Sequence, residues 1–244
     1  DAMKRRGPDD RGVDSHQLAA GIALLGHTRL SIIDLSDAGH QPMYSPCGRY
    51  GLVFNGEIYN YLELREELAA SGSEFRTNSD TEVLLAAWQQ WGTNCLGRLK
   101  GMFAFAVLDR ASGTLSCVRD AFGIKPFFYA VENDAFLFGS EMAALRALLS
   151  NRAQLDWQRA YDYLVHGEYD FGTCTFVQGV ASLLPGHFFT VDLATLNASE
   201  PVAWWQPSIE AVQPSCFDEA SDRLRILLLE NVRLHMRSDV PLGA

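Results

Sequence analysis

The strongest constraint on the fold lies in residues 101–139. Four short apolar runs, Met102–Leu108, Leu115–Val118, Phe127–Val131 and Phe136–Phe138, follow one another at close spacing. They are separated by Ser112-Gly113, by Gly123-Ile124-Lys125-Pro126 and by Glu132-Asn133-Asp134, all of them turn-forming sequences. Connections this short cannot hold a crossover helix, so the strands must run antiparallel. Helical patterns flank the meander. Tyr61–Ser71 spaces Leu64 and Leu68 by four and stops at Gly72. Ser79-Asp80-Thr81-Glu82 reads as a capping box ahead of a helix through Val83, Leu84, Ala87, Trp88 and Trp91. Glu141–Leu149 and Trp157–Val165 read as further helices, and His187–Leu193 as a strand. Near the start, residues 22–35 read as strand, and residues 50–54 as a short strand ending at Asn55-Gly56. Strand meanders mixed with helices place residues 1–200 in the α+β class.

Residues 194–216 contain Pro201, Pro207 and Pro214 among polar residues, and a linker is expected over 201–216. From Phe217 to about Arg237 an apolar stripe of Ala220, Leu224, Leu227, Leu228 and Val232 predicts one long helix. A lone helix beyond a linker has no core of its own, so residues 217–244 are expected to open a second domain. Asp1-Ala2-Met3-Lys4 and the apolar Val240-Pro241-Leu242-Gly243-Ala244 both suggest a piece of a longer protein.

Charge and cysteines narrow the partners. With 20 basic and 30 acidic side chains the net charge is −10, which disfavours nucleic acid or an anionic membrane surface as main partner. No apolar run reaches the roughly 18 residues of a membrane span. Five scattered cysteines without a C-x-x-C, and six histidines without a ligand-like spacing, argue against a disulfide framework or a metal site and for a reducing cytoplasm.

Four polar clusters could carry chemistry, and each has a plain structural alternative. Arg6-Gly7-Pro8-Asp9 suits a solvated turn. Arg29 is either a charge at a sheet edge or a fork for a carboxylate. Asn55-Gly56 is either a hairpin turn or, since a helix with many acids follows, a pair of donors for an oxyanion. Asp80 suits the first turn of a helix whether or not it also meets a ligand ammonium.

Taken in order, these clusters resemble the glutaminase domain of class II glutamine amidotransferases, the N-terminal-nucleophile hydrolase type. The matching stretches are Arg6-Gly7-Pro8-Asp9, Arg29-Leu30-Ser31-Ile32-Ile33-Asp34, Asn55-Gly56-Glu57-Ile58-Tyr59-Asn60 and Ser79-Asp80-Thr81-Glu82. Gly101–Ala106, Arg119–Pro126 and Gly139-Ser140-Glu141 follow. Leu184-Pro185-Gly186-His187, Trp205-Gln206-Pro207 and Ser238–Ala244 narrow the resemblance to glutamine-dependent asparagine synthetases and their close relatives.

The resemblance implies a four-layer αββα sandwich and glutamine hydrolysis. It implies that Arg29 holds the α-carboxylate of glutamine, that Asp80 with Glu57 holds the α-ammonium, and that Asn55 and Gly56 form the oxyanion hole. The nucleophile it implies is a cysteine at the very N-terminus acting with its own α-amine; none of Cys47, Cys95, Cys117, Cys174 or Cys216 stands in that place. Released ammonia would amidate an adenylated carboxylate, normally aspartate. ATP and Mg²⁺ would belong to the synthetase domain after residue 244, with no cofactor and no metal in the present chain. A nucleophile-free scaffold, or a sugar acid or peptide as acceptor, are the alternatives within the family. The resemblance also allows a homodimer, on which the residues themselves are silent.

Overall fold

The computed structural model describes residues 2–19, 21–149, 154–169, 172–208 and 216–241. Strands β1 (Asp10–Leu18) and β2 (Gly21–Arg29) pair as an antiparallel hairpin. A six-stranded sheet contains β3 (Met43–Tyr44), β4 (Tyr50–Ile58), β5 (Gly101–Asp109) and β6 (Thr114–Arg119), together with β10 (His187–Asp192) and β11 (Val202–Ala203). Its order is β11-β10-β6-β5-β4-β3, antiparallel throughout. A third sheet has the order β8-β7-β9, from β7 (Phe128–Glu132), β8 (Ala135–Gly139) and β9 (Ala181–Ser182). The helices are α1 (Tyr61–Ala70), α2 (Asp80–Trp91), α3 (Met142–Leu148), α4 (Trp157–His166) and α5 (Phe217–His235).

Strand alternation turns these elements into layers. Side chains of successive strand residues face opposite sides of a sheet. Leu52, Phe54, Phe103, Phe105, Val107 and Val118 therefore point one way, onto Leu64 and Leu68 of α1 and Val83, Leu84 and Trp88 of α2. Val53, Ala104, Ala106, Leu108, Leu115, Cys117, Phe189 and Val191 point the other way, against Leu25 of β2 and Tyr129, Phe136 and Phe138 of the third sheet. The outer face of that sheet carries Phe128, Ala130 and Leu137, and Leu145 of α3 covers it. The result is helix, sheet, sheet, helix, the four-layer sandwich expected. Each fully buried Leu or Phe contributes about 1.5–3 kcal/mol.

Several local expectations give way. The strand read over 22–35 ends at Arg29, because residues 30–36 form a loop whose Asp34 has φ of 55°. Residues 10–18 form a strand with mostly exposed side chains, which leaves little hydrophobic alternation to read. The strand read as ending at Asn55-Gly56 runs on to Ile58, so this Asn-Gly is neither a hairpin turn nor a strand end. The capping box is half made. Ser79 Oγ accepts the Thr81 N–H at 3.0 Å, but Glu82 reaches back to the amides of Arg76 and Thr77 instead. In the expected linker, β11 pairs with β10, and Trp204 stacks on Phe103 with ring centroids 5.9 Å apart. Residues 209–215 of that linker and 242–244 lie outside the described residues. Helix α5 buries none of its side chains, and Leu224, Leu227, Leu228 and Leu229 are exposed.

One buried carboxylate organises the turn after β6. Asp120 is 0% exposed, and its side chain accepts the amides of Phe103 (3.1 Å), Phe122 (3.0 Å), Ile124 (3.0 Å) and Lys125 (2.9 Å). Arg119 bonds the carbonyls of Gly123, Lys125 and Leu183, closing the same turn from outside. Asp120→Ala would strand buried donors, each costing about 1–3 kcal/mol. The expected loss is about 3 kcal/mol or more in urea unfolding; a loss under about 1 kcal/mol would contradict this role.

Candidate active site

The last residues of β2 and the far end of β4 open into one cavity of about 180 Å³. Arg29, Asn55, Gly56, Glu57 and Asp80 all line it, with Arg6, His27, Thr81 and Lys125 alongside. Residues spread over more than fifty positions of sequence thus meet around one small space.

Arg29 forms one wall and is only 7% exposed. Its guanidinium donates to Ser36 O at 2.8 Å, to Ile33 O at 3.1 Å and to Asp34 O. Three of its five N–H donors are thereby held by backbone carbonyls, which aim the fork. The loop supplying them is itself pinned. Asp34 accepts Ser36 N at 3.1 Å, Ser36 Oγ at 2.5 Å and Asn78 N at 2.9 Å. Burial works against its charge, but these bonds and the nearby Arg29 hold its carboxyl below the usual range. Gly39 packs on the guanidinium so closely that a Cβ there would lie 1.9 Å from Arg29 Nη2.

Another part of the lining is acidic. Asp80, at the start of α2, is 5% exposed and accepts the Ile58 N–H at 2.9 Å. Burial pushes its carboxyl up to about 7, and the neighbouring Glu57 adds to the rise, while backbone N–H groups oppose it. Burial also raises Glu57, against the pull of Lys125 and His235. Two carboxyls in one desolvated corner resist losing both protons until a cation arrives.

Asn55 and Gly56 line the same cavity. Asn55 Nδ2 is buried and has no hydrogen-bond partner, alone in this among the side-chain atoms of the described residues. A buried donor left unmade costs about 1–3 kcal/mol, so such a group is characteristic of a site that a ligand completes. Gly56 has φ of 156°, and a Cβ on it would lie 2.1 Å from Met102 O on β5. Only glycine passes there without shifting the sheet. Gln41 braces the strand from beside, its Oε1 accepting Phe54 N at 2.7 Å. His27 bonds Phe54 O at 3.0 Å, and burial, with Arg29 nearby, lowers its ring to about 4, so it is neutral at pH 7.

The N-terminal cluster Arg6-Gly7-Pro8-Asp9 is more than a solvated turn. Gly7 packs on the Thr28 backbone, where a Cβ would come within 2.2 Å, and Arg6 on the rim pairs with Glu141 at 2.7 Å. Lys125 and His27 also belong to the cavity. The motif Arg119–Pro126 contains the lysine, but only the Asp120-centred turn aims it there. None of the five cysteines lines the cavity. Among the described residues, no three His, Cys, Asp or Glu side chains stand together as a metal site. No helix among them is long and apolar enough to cross a membrane.

Comparison with known proteins identifies the family. A family model described as a glutamine amidotransferase domain matches residues 1–205. Asparagine synthetase [glutamine-hydrolyzing] 3 of Bacillus subtilis is 36% identical over 99% of this chain, which spans 38% of that protein. A putative asparagine synthetase [glutamine-hydrolyzing] of Mycobacterium tuberculosis is 39% identical, again over 99% of this chain and 38% of its own length. The chain thus spans little more than a third of these relatives. Among solved structures, glutamine phosphoribosylpyrophosphate amidotransferase from B. subtilis superposes with a TM-score of 0.60 at 18% identity, covering 84% of this chain and 45% of that one. At that identity the likeness concerns the fold alone. The chain belongs to the glutamine amidotransferase domain family.

Proposed function

We propose that this chain is the glutamine-hydrolysing portion of a larger amidotransferase of the asparagine synthetase type. Residues 1–200 form the glutaminase domain, 201–216 the linker, and 217–244 the start of the synthetase domain. The observation that carries the reading is the cavity itself. Arg29, Asn55, Glu57 and Asp80 line one small volume. They bring to it a buried guanidinium, an amide donor without a partner, one buried and one half-buried carboxyl, the groups that a zwitterion with a reacting carbonyl requires.

In this reading Arg29 forks the α-carboxylate of glutamine. Asp80 and Glu57 take its α-ammonium, which neutralises a corner that burial otherwise penalises. Asn55 Nδ2 and the Gly56 backbone stabilise the oxyanion when the side-chain amide is attacked. The attacking group of the family is an N-terminal cysteine thiol, and we assign that role to no cysteine of this chain. Glutamine and water yield glutamate and ammonia, and the ammonia amidates an acceptor carboxylate, aspartate in the named relatives' reaction, activated by ATP with release of pyrophosphate. We place ATP and Mg²⁺ in the part of the protein beyond this chain and assign no residue here to them. Five unpaired cysteines fit a reducing cytoplasm as the place of action.

In the full-length protein, Arg29→Ala is expected to abolish glutamine turnover while ammonia-dependent synthesis persists. Asn55→Ala is expected to lower glutamine-dependent kcat by about 10²–10³ with a smaller change in KM, as for an oxyanion donor. Unchanged glutamine kinetics in either variant would remove that residue from the site.

A pH dependence follows from Asp80. An ammonium binds the ionised pair, and the free carboxyl sits at about 7. Below that pH, binding must expel a proton, so affinity for glutamine should fall as pH drops, approaching about tenfold per unit. Calorimetric Kd values from pH 5.5 to 8 test this, and a flat profile would exclude an acidic ammonium site at Asp80.

A further inference from the structure

The stretch after α5 returns to the cavity rim and clips two of its loops. Asp239 donates its backbone N–H to Ile32 O at 2.9 Å, and its side chain accepts the Asp34 N–H at 2.7 Å. Two residues earlier the Arg237 guanidinium donates to both carboxylate oxygens of Glu63 and to Tyr59 O, each at 2.5 Å. The His235 ring lies 4.1 Å from that of Tyr59.

The clipped loops are the ones that shape the site. Ile32 lines the cavity, and the carbonyls of Ile33 and Asp34 hold Arg29. Tyr59 directly follows Ile58, whose amide holds Asp80. Residues 30–36 belong to no strand or long helix and include the left-handed Asp34, so their shape depends on tethers. The Asp9 carboxylate accepts the Ser31 N–H at 2.8 Å, the Asp34 carboxylate bonds Ser36 and Asn78, and a further tether comes from Asp239, far away in sequence.

We propose that Asp239 and Arg237 are positioning residues of the glutamine cavity. They hold the Arg29 loop and the end of β4 at the spacing the zwitterion needs. The inference rests on reading the cavity as a glutamine site. Because α5 and this clip are expected to belong to the synthetase side of the linker, glutamine binding and closure of the clip must favour each other.

The test uses the full-length protein, with calorimetric Kd for glutamine and glutaminase KM and kcat measured together. Asp239→Ala removes a charge-assisted bond and is expected to raise Kd and KM by about tenfold or more with kcat little changed. Asp239→Asn, which keeps an oxygen facing the Asp34 amide, should restore both constants to near the native values. Ammonia-dependent synthesis should be the same in all three proteins. Native glutamine affinity in Asp239→Ala, failure of Asp239→Asn to rescue, or equal loss of ammonia-dependent synthesis would each overturn the proposal. Arg29→Ala separates the two claims. If it abolishes glutamine binding while Asp239→Ala does nothing, the clip alone is wrong; if it too is silent, the glutamine reading is wrong.

Discussion

The pairing of β4 with β5 is the constraint on which both fold and site rest. The two strands match from Tyr50 opposite Asp109 to Ile58 opposite Gly101, and neither is an edge strand of the six-stranded sheet. Their alternating side chains form the middle of both hydrophobic layers. At Gly56 the backbones approach so closely that any side chain would strike Met102 O. That contact lets the strand run past Asn55 without a turn, and so brings Asn55 and Gly56 to the lining of the cavity. The core and the chemistry are therefore built on one ladder, whose register a one-residue slip would ruin on both faces at once.

The presence of both charge signs in the cavity lining is the second element. Arg29 is spread over three backbone carbonyls, which bind its charge without neutralising it. Asp80 faces the opposite problem, since burial and Glu57 both oppose its ionisation. An isolated anion or an isolated cation would satisfy one charge and leave the other unmet. A small zwitterion satisfies both, and burying charge is tolerable only when it is paired in this way.

The architecture was legible where hydrophobic pattern and turn chemistry agreed. The runs at 102–108, 115–118, 127–131 and 136–138 correspond to β5 through β8, and Leu64 and Leu68 mark the buried face of α1. Legibility failed where tertiary contacts decide. β1 is a hairpin strand with few buried side chains, so its sequence carries no clear period. β2 stops at Arg29 although Leu30, Ile32 and Ile33 extend the apolar run, because the chain turns there and brings the carbonyls of Ile33, Asp34 and Ser36 to the guanidinium instead of pairing. Asn55-Gly56 has the composition of a tight turn, and only its neighbour across the sheet makes it a strand. Of the site, the clusters around Arg29, Asn55 and Asp80 were visible as unusual polar groups. Their convergence, and the placement of Lys125 and Asp239, depend on loops that no local pattern encodes, while His27 is placed by the pairing of β2 with β1.

The central claim is that one amino-acid zwitterion bridges the two charged parts of the lining. The most direct measurement is a crystal structure of the protein with glutamine bound. The account predicts the α-carboxylate on the Arg29 guanidinium, the α-ammonium against Asp80 and the side-chain carbonyl oxygen within reach of Asn55 Nδ2. Glutamine seated elsewhere, or seated here with Arg29 and Asp80 both out of contact, would contradict it.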